Sequence, residues 1–179
     1  SGELSDSNLE KIFIGPQTRF KKIVEERKNY KYKYLAIISG PEPQRSLMED
    51  EIQNCFLKTN EHCAIINGLI NKKEISAEKI TFYPHLETTA FRELLTKSEF
   101  VICRSGYSSI MDLYVLQKKV LFIPTPGQTE QEYLAKYHQK TNSIYYQKQG
   151  RIDLKKASFN FIQSKSKTKK KLLEAAFNN

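Results

Sequence analysis

At 179 residues, the chain has room for one substantial hydrophobic core and not for a second of ordinary size. Its 39% apolar content, with ten tyrosines and ten phenylalanines, excludes a wholly disordered polymer. Cys55, Cys63 and Cys103 are too few and too scattered for a disulfide framework or a zinc site, so they are read as free thiols in a reducing compartment. The net charge of +9 leaves anionic partners open, and no apolar run reaches the length of a membrane span.

Short runs rich in Ile and Val alternate with helix-length amphipathic stretches. That spacing predicts parallel strands with crossover helices, an α/β three-layer Rossmann-like domain. The start, SGELSDSNLE, lacks signal-peptide character, and Ile12-Phe13-Ile14 is read as a further strand or the way in from a preceding domain. A helix over 18–28 is followed by strands at 35–39, 63–67, 80–83, 100–103, 120–123 and 144–146. Helices are expected at 46–57, 89–96, 108–117 and 130–139. In the first of these, Leu47, Ile52 or Cys55, and Phe56 form the apolar side. Leu172, Leu173, Ala176 and Phe177 give the stretch 166–177 helical spacing. Seven lysines between residues 155 and 171, with no acid among them, form a stripe suited to an anionic membrane surface; the alternative is a solvated helix face. No aromatic platform or nucleic-acid motif accompanies it, and no nucleic-acid partner is expected.

The ligand-facing edge of such a domain is where strands end and helices begin. Three loops meet that description. The first, between the strand at 100–103 and the next helix, is Arg104-Ser105-Gly106-Tyr107-Ser108-Ser109. Gly106 offers backbone freedom and a missing side chain, and Ser105, Ser108 or Ser109 is expected to cap the helix. Free amides at its start suit a diphosphate. Arg104 either neutralises phosphate or pairs with a neighbour. Asp112, in the first or second turn, either accepts hydrogen bonds from two ribose hydroxyls or complements the helix dipole. The second loop is PTPGQTEQEYLA, in which Thr129 and Glu132 have capping-box spacing and Glu130 and Gln131 face the same crevice. The third, ISGPEPQRS, brings Ser39, Gly40 and Arg45 to the opposite lip, and His85 closes the strand ITFYPH. No dinucleotide fingerprint, P-loop, metal-ligand spacing or nucleophile triad is present, so neither a metal nor another cofactor is expected.

Taken together, ISGPEPQR, FYPHL, FVICRSGYSSIMDL and KKVLFIPTPGQTEQEYLA resemble the C-terminal half of GT-B glycosyltransferases, in particular the lipid II-forming N-acetylglucosaminyltransferase group. The likeness covers residues 12–160, and IGPQTRF is similar to the segment that follows the interdomain linker in such enzymes. It implies a single nucleotide-sugar-binding domain over 1–179, with a basic C-terminal helix at 161–179 packing on an absent N-terminal domain. It further implies a UDP-sugar donor whose diphosphate lies on Gly106, Tyr107, Ser108 and Ser109 and whose ribose is held by Asp112. Gln131, with Glu130 beside it, would meet the donor sugar, and His85, with Leu86 and Glu87, would flank the base. The family's acidic residue at the Asp112 position is usually glutamate, and Thr129-Glu130 and Leu134 depart from its Asp-His and asparagine. The resemblance places no catalytic residue in this chain: acceptor and general base belong to the missing domain or a separate subunit. The whole protein is then an inverting hexosyl- or N-acetylhexosaminyltransferase of the cell envelope, cytoplasmic and peripheral at the inner face of the membrane. The alternatives are the donor half of a nucleotide-sugar hydrolase or epimerase, and a non-enzymatic α/β module with a basic surface.

Overall fold

The computed structural model describes residues 17–20, 29–68, 75–77, 79–139 and 144–158, with the backbone alone at 75–77. Among these residues seven strands and four helices follow one another as β1 (Tyr32–Ile37), α1 (Gln44–Leu57), β2 (Cys63–Ile66), β3 (Ile75–Ala77), β4 (Ile80–Tyr83), α2 (Thr88–Thr96), β5 (Ser98–Cys103), α3 (Tyr107–Val115), β6 (Lys119–Phe122), α4 (Thr129–His138) and β7 (Ile144–Tyr146). A helical turn at 154–158 closes the described chain.

The sheet order is β3-β4-β2-β1-β5-β6-β7. Among the described strands only β3 runs antiparallel, paired with β4. The six parallel strands therefore lie in the order third, second, first, fourth, fifth, sixth, which is that of dinucleotide-binding Rossmann domains. The direction of winding reverses between β1 and β5, which pair in register from Tyr32 with Ser98 to Ile37 with Cys103. Loops leaving these two strands diverge to opposite faces and open a crevice at their carboxyl ends.

Burial on both faces explains the unbroken apolar runs. Leu35 and Ala36 are both inaccessible, as is all of Cys-Ala-Ile-Ile in β2 apart from a sliver of Ile66. On one face Met48, Ile52 and Phe56 of α1 pack with Leu154 and Ala157 on Tyr34, Ile65, Phe100 and Ile102. On the other, Leu94 and Leu95 of α2, Ile110 and Leu113 of α3 and Ala135 of α4 cover Leu35, Val101 and Phe122. Tyr34 stacks against both Phe56 and Phe100 at 6.0 and 5.6 Å between ring centres, joining α1 to two strands.

Several expectations need correction. Leu47 is 51% exposed and Met48 takes its place in the core, because Met48, Ile52 and Phe56 recur every fourth residue on one face of α1 and Leu47 falls one residue off that face. Residues 18–20 are not helical: Thr18 is irregular and Arg19-Phe20 bend, and their side chains turn onto α2 and α3. The short β3 was not expected at all. The strand at 12–14, the helix at 166–177 and the lysines from 165 to 171 lie outside the described residues.

Candidate functional site

Three loops meet at the carboxyl ends of β1, β5 and β6, and Arg104 stitches them together. Its guanidinium donates from Nε to the Ser39 carbonyl at 3.4 Å, from Nη1 to Ile123 at 3.1 Å and from Nη2 to Gln44 at 2.7 Å. The residue is only 3% exposed, and burial pulls its pKa down against the opposing pull of Glu51. Arg104 is thus committed to backbone carbonyls beneath the crevice. Arg45 is likewise occupied, with Glu42 at 3.2 Å and with the Asn67 carbonyl.

Gly40 has φ +113°, a conformation that strains any side chain, and its bare backbone lies over Arg104 and Thr125. Thr125 is 2% exposed, and its Oγ1 has no hydrogen-bond partner among the described residues. Its amide donates to Gln131 Oε1 at 2.9 Å. Gln131 Nε2 reaches Gln128 Oε1, so this side chain orders the loop ahead of α4. The buried Ser105 hydroxyl donates to the Gln131 carbonyl at 2.7 Å and ties that loop to the one before α3.

α3 starts differently from the serine cap expected. Gly106 is its N-cap, with φ −73° and ψ 148°, and no side chain caps the turn. That conformation is open to any residue, so backbone freedom is not what Gly106 supplies; a Cβ there would meet nothing within 4 Å, and the space above the helix start is clear. The first helical bond runs from Ile110 N to the Gly106 carbonyl, which leaves the amides of Tyr107, Ser108 and Ser109 ahead of it. Ser105 is spent on Gln131, Ser108 is exposed, and Tyr107 stands 57% exposed at the first position of the helix. The capping box at α4 is also replaced: Gln128 is the N-cap and Thr129 the first helical residue, with Glu130 and Glu132 complementing the first turn as acids.

Asp112 lies one turn into α3, 8% exposed, and both its oxygens are taken. Oδ1 accepts from the Thr18 hydroxyl at 2.6 Å and Oδ2 from Arg19 Nε at 3.1 Å. Arg19 also lies over the rings of Phe20 and Phe91, 5.1 and 4.9 Å from their centres, and those rings stack on each other at 6.1 Å. Thr18, Arg19 and Thr125 are not among the residues expected at the site; the motif IGPQTRF carries a signal for the first two. His85 is exposed after β4, at the same edge of the sheet but with β2 and β1 between its strand and β5. Among the described residues no group of three His, Cys, Asp or Glu side chains is placed to hold a metal ion.

The glycosyltransferase family 28 C-terminal domain matches residues 22–176, most of the chain. The chain belongs to that family. It is 28% identical over 166 residues to a UDP-N-acetylglucosamine--N-acetylmuramyl-(pentapeptide) pyrophosphoryl-undecaprenol N-acetylglucosamine transferase of Sulfurihydrogenibium sp. (strain YO3AOP1), an alignment that covers 88% of this chain and 44% of that protein. The crystal structure of Acinetobacter baumannii MurG superposes with a TM-score of 0.54 at 12% identity, over 81% of this chain and 46% of that one. The fold is therefore one half of a GT-B architecture, and the chain spans less than half the length of either relative.

Proposed function

We propose that this family 28 domain binds the UDP-sugar donor of an inverting glycosyltransferase. The observation that carries the reading is the uncapped start of α3, set at the point between β1 and β5 where the sheet reverses its winding. A diphosphate there would accept from the amides of Tyr107, Ser108 and Ser109. These fixed dipoles would stabilise the negative charge that grows on the nucleoside diphosphate as it departs. Asp112 would accept from the ribose hydroxyls, Glu130 and Gln131 would line the sugar side, Ser39 and Gly40 the opposite lip, and His85 the approach to the base. Arg104 and Ser105 would act from below by fixing the loops.

The reaction would be a single displacement. An acceptor hydroxyl oxygen attacks the anomeric carbon from the face opposite the diphosphate, the bond to the diphosphate breaks as the new one forms, and the configuration inverts. The hydroxyl proton passes to a base on an acceptor-binding N-terminal domain or separate subunit. This domain contributes orientation and leaving-group stabilisation, so on its own it binds donor and transfers nothing. A membrane-borne acceptor would give the lysine stripe from Lys155 onward a role in peripheral contact with anionic lipid at the cytoplasmic face.

Calorimetric titration with UDP, against GDP, ADP and TDP, tests the reading. Saturable binding is expected for UDP in preference to the others, weakened about 10- to 100-fold by Asp112→Ala. Equal affinity for all four nucleotides, or none for any at millimolar concentration, would sink it.

A further inference from the structure

The Asp112 carboxylate, assigned above to the ribose, is already occupied by the chain itself. Thr18 presents to Oδ1 an O–H donor at 2.6 Å, the same group a ribose hydroxyl would bring. Arg19 holds Oδ2 at 3.1 Å. The two residues are not equally fixed. Arg19 is anchored a second time by Phe20 and Phe91, whose rings it overlies, and Phe20 is buried against Phe91. Thr18 is half-buried, and its one other bond among the described residues is local, accepting from the Phe20 amide at 3.1 Å.

We propose that residues 17–20 form a strap that closes the donor site by letting the Thr18 hydroxyl stand in for a ribose hydroxyl on Asp112, and that donor binding exchanges one for the other. The inference rests on the donor-binding reading and on the Thr18–Asp112 bond together. Arg19 is the pivot: it stays on Oδ2 and keeps the carboxylate aimed while Oδ1 changes partner. Thr18 is then a competitor whose release accompanies nucleotide binding. An isoenergetic exchange of one O–H···O⁻ bond for another gives Asp112 less net affinity for ribose than a free carboxylate would have. The exchange also makes the position of residues 17–20 depend on whether donor is bound, by linkage between the two equilibria.

The test uses the full 179-residue chain and calorimetry with UDP and 2′,3′-dideoxy-UDP, which lacks the diol. Thr18→Val keeps the shape and removes the hydroxyl. It should tighten UDP about 3- to 10-fold and leave dideoxy-UDP unchanged, whereas Thr18→Ser should bind both as the parent does. If Thr18→Val leaves UDP unchanged or weaker, or shifts both nucleotides alike, while Asp112→Ala still weakens UDP, the strap is wrong and the donor site stands. If neither the parent nor any variant binds UDP, the donor reading falls and the strap falls with it.

Discussion

The Ser105 hydroxyl donates to the Gln131 carbonyl at 2.7 Å, and this one bond joins the loop before α3 to the first turn of α4. Both loops contribute residues to the proposed donor site, so their spacing sets whether phosphate and sugar contacts can be made at once. Ser105 is fully buried. Ser105→Ala would remove a buried hydrogen bond and leave the Gln131 carbonyl with its helical donor alone, at a cost of about 1–2 kcal/mol. The urea midpoint should fall with the slope of the transition unchanged, and UDP binding should weaken several-fold because the loops are no longer in register.

Arg104 carries a heavier structural role. Three backbone carbonyls, on the β1 loop, the first turn of α1 and the end of β6, depend on its guanidinium. Arg104→Met fills similar space and recovers the cost of burying a charge, but it removes three hydrogen bonds from the carbonyls of Ser39, Gln44 and Ile123. Their loss outweighs the recovered desolvation, and a net loss of about 2–4 kcal/mol is expected. Arg104→Lys cannot span three acceptors from one ammonium and should fall between the two. Chemical denaturation orders the three proteins; a Met variant as stable as the parent would show that the fork is dispensable.

The central strands were legible because burial on both faces writes apolar runs, as in β2 under the expected 63–67, and the half-buried 80–83 and 144–146 still match β4 and β7 residue for residue. Helix starts were placed within two residues by prolines, glycines and serines at the ends of those runs. Polar partners were not legible. Arg104 is a basic residue beside a phosphate-like loop, yet its acceptors lie 65, 60 and 19 residues away and exist only once the sheet has formed. Asp112 has the same history, with partners 94 and 93 residues earlier in the chain. β3 has three residues and no periodicity to detect; only its pairing with β4 makes it a strand.

At the amino ends of the central strands, Glu99 of β5 sits between Lys33 of β1 and Lys119 of β6, each ammonium 2.8 Å from one of its oxygens. Burial pushes the carboxyl up, but hydrogen bonds from Lys119 and Lys33 prevail and hold its pKa below the ordinary 4.5. A carboxyl lowered by folding stabilises the fold above its unfolded pKa, and the contribution is lost as pH falls through the folded value. Glu99→Gln should therefore be less stable than the parent at pH 7, where two lysines face each other. The difference should shrink as the pH is taken below about 4. Urea midpoints for both proteins at pH 7 and pH 3 give the comparison, and a gap that does not narrow between them would place the effect in packing instead.

The opposite limb belongs to Cys63. This thiol is buried at the start of β2, and burial pushes it from 9.0 up to about 11 despite a hydrogen bond with Thr59. In the unfolded chain it ionises near pH 8.5–9. An acid raised by folding contributes stability that is complete below the unfolded pKa and lost as pH rises through the folded one. Between pH 9 and 11 the chain should lose about 2–3 kcal/mol through this group alone, at about 1.4 kcal/mol for each pH unit that separates the unfolded and folded values. Cys103, also buried and also raised, titrates in the same direction, so the comparison must be made by difference. Cys63→Ala costs a small cavity at every pH, about 1–2 kcal/mol, but removes the titration. Its stability should therefore fall less steeply than the parent's above pH 9, and the two curves should meet at about pH 10 and cross above it. Parallel curves would mean that the Cys63 thiol gains no protection from its place in the sheet.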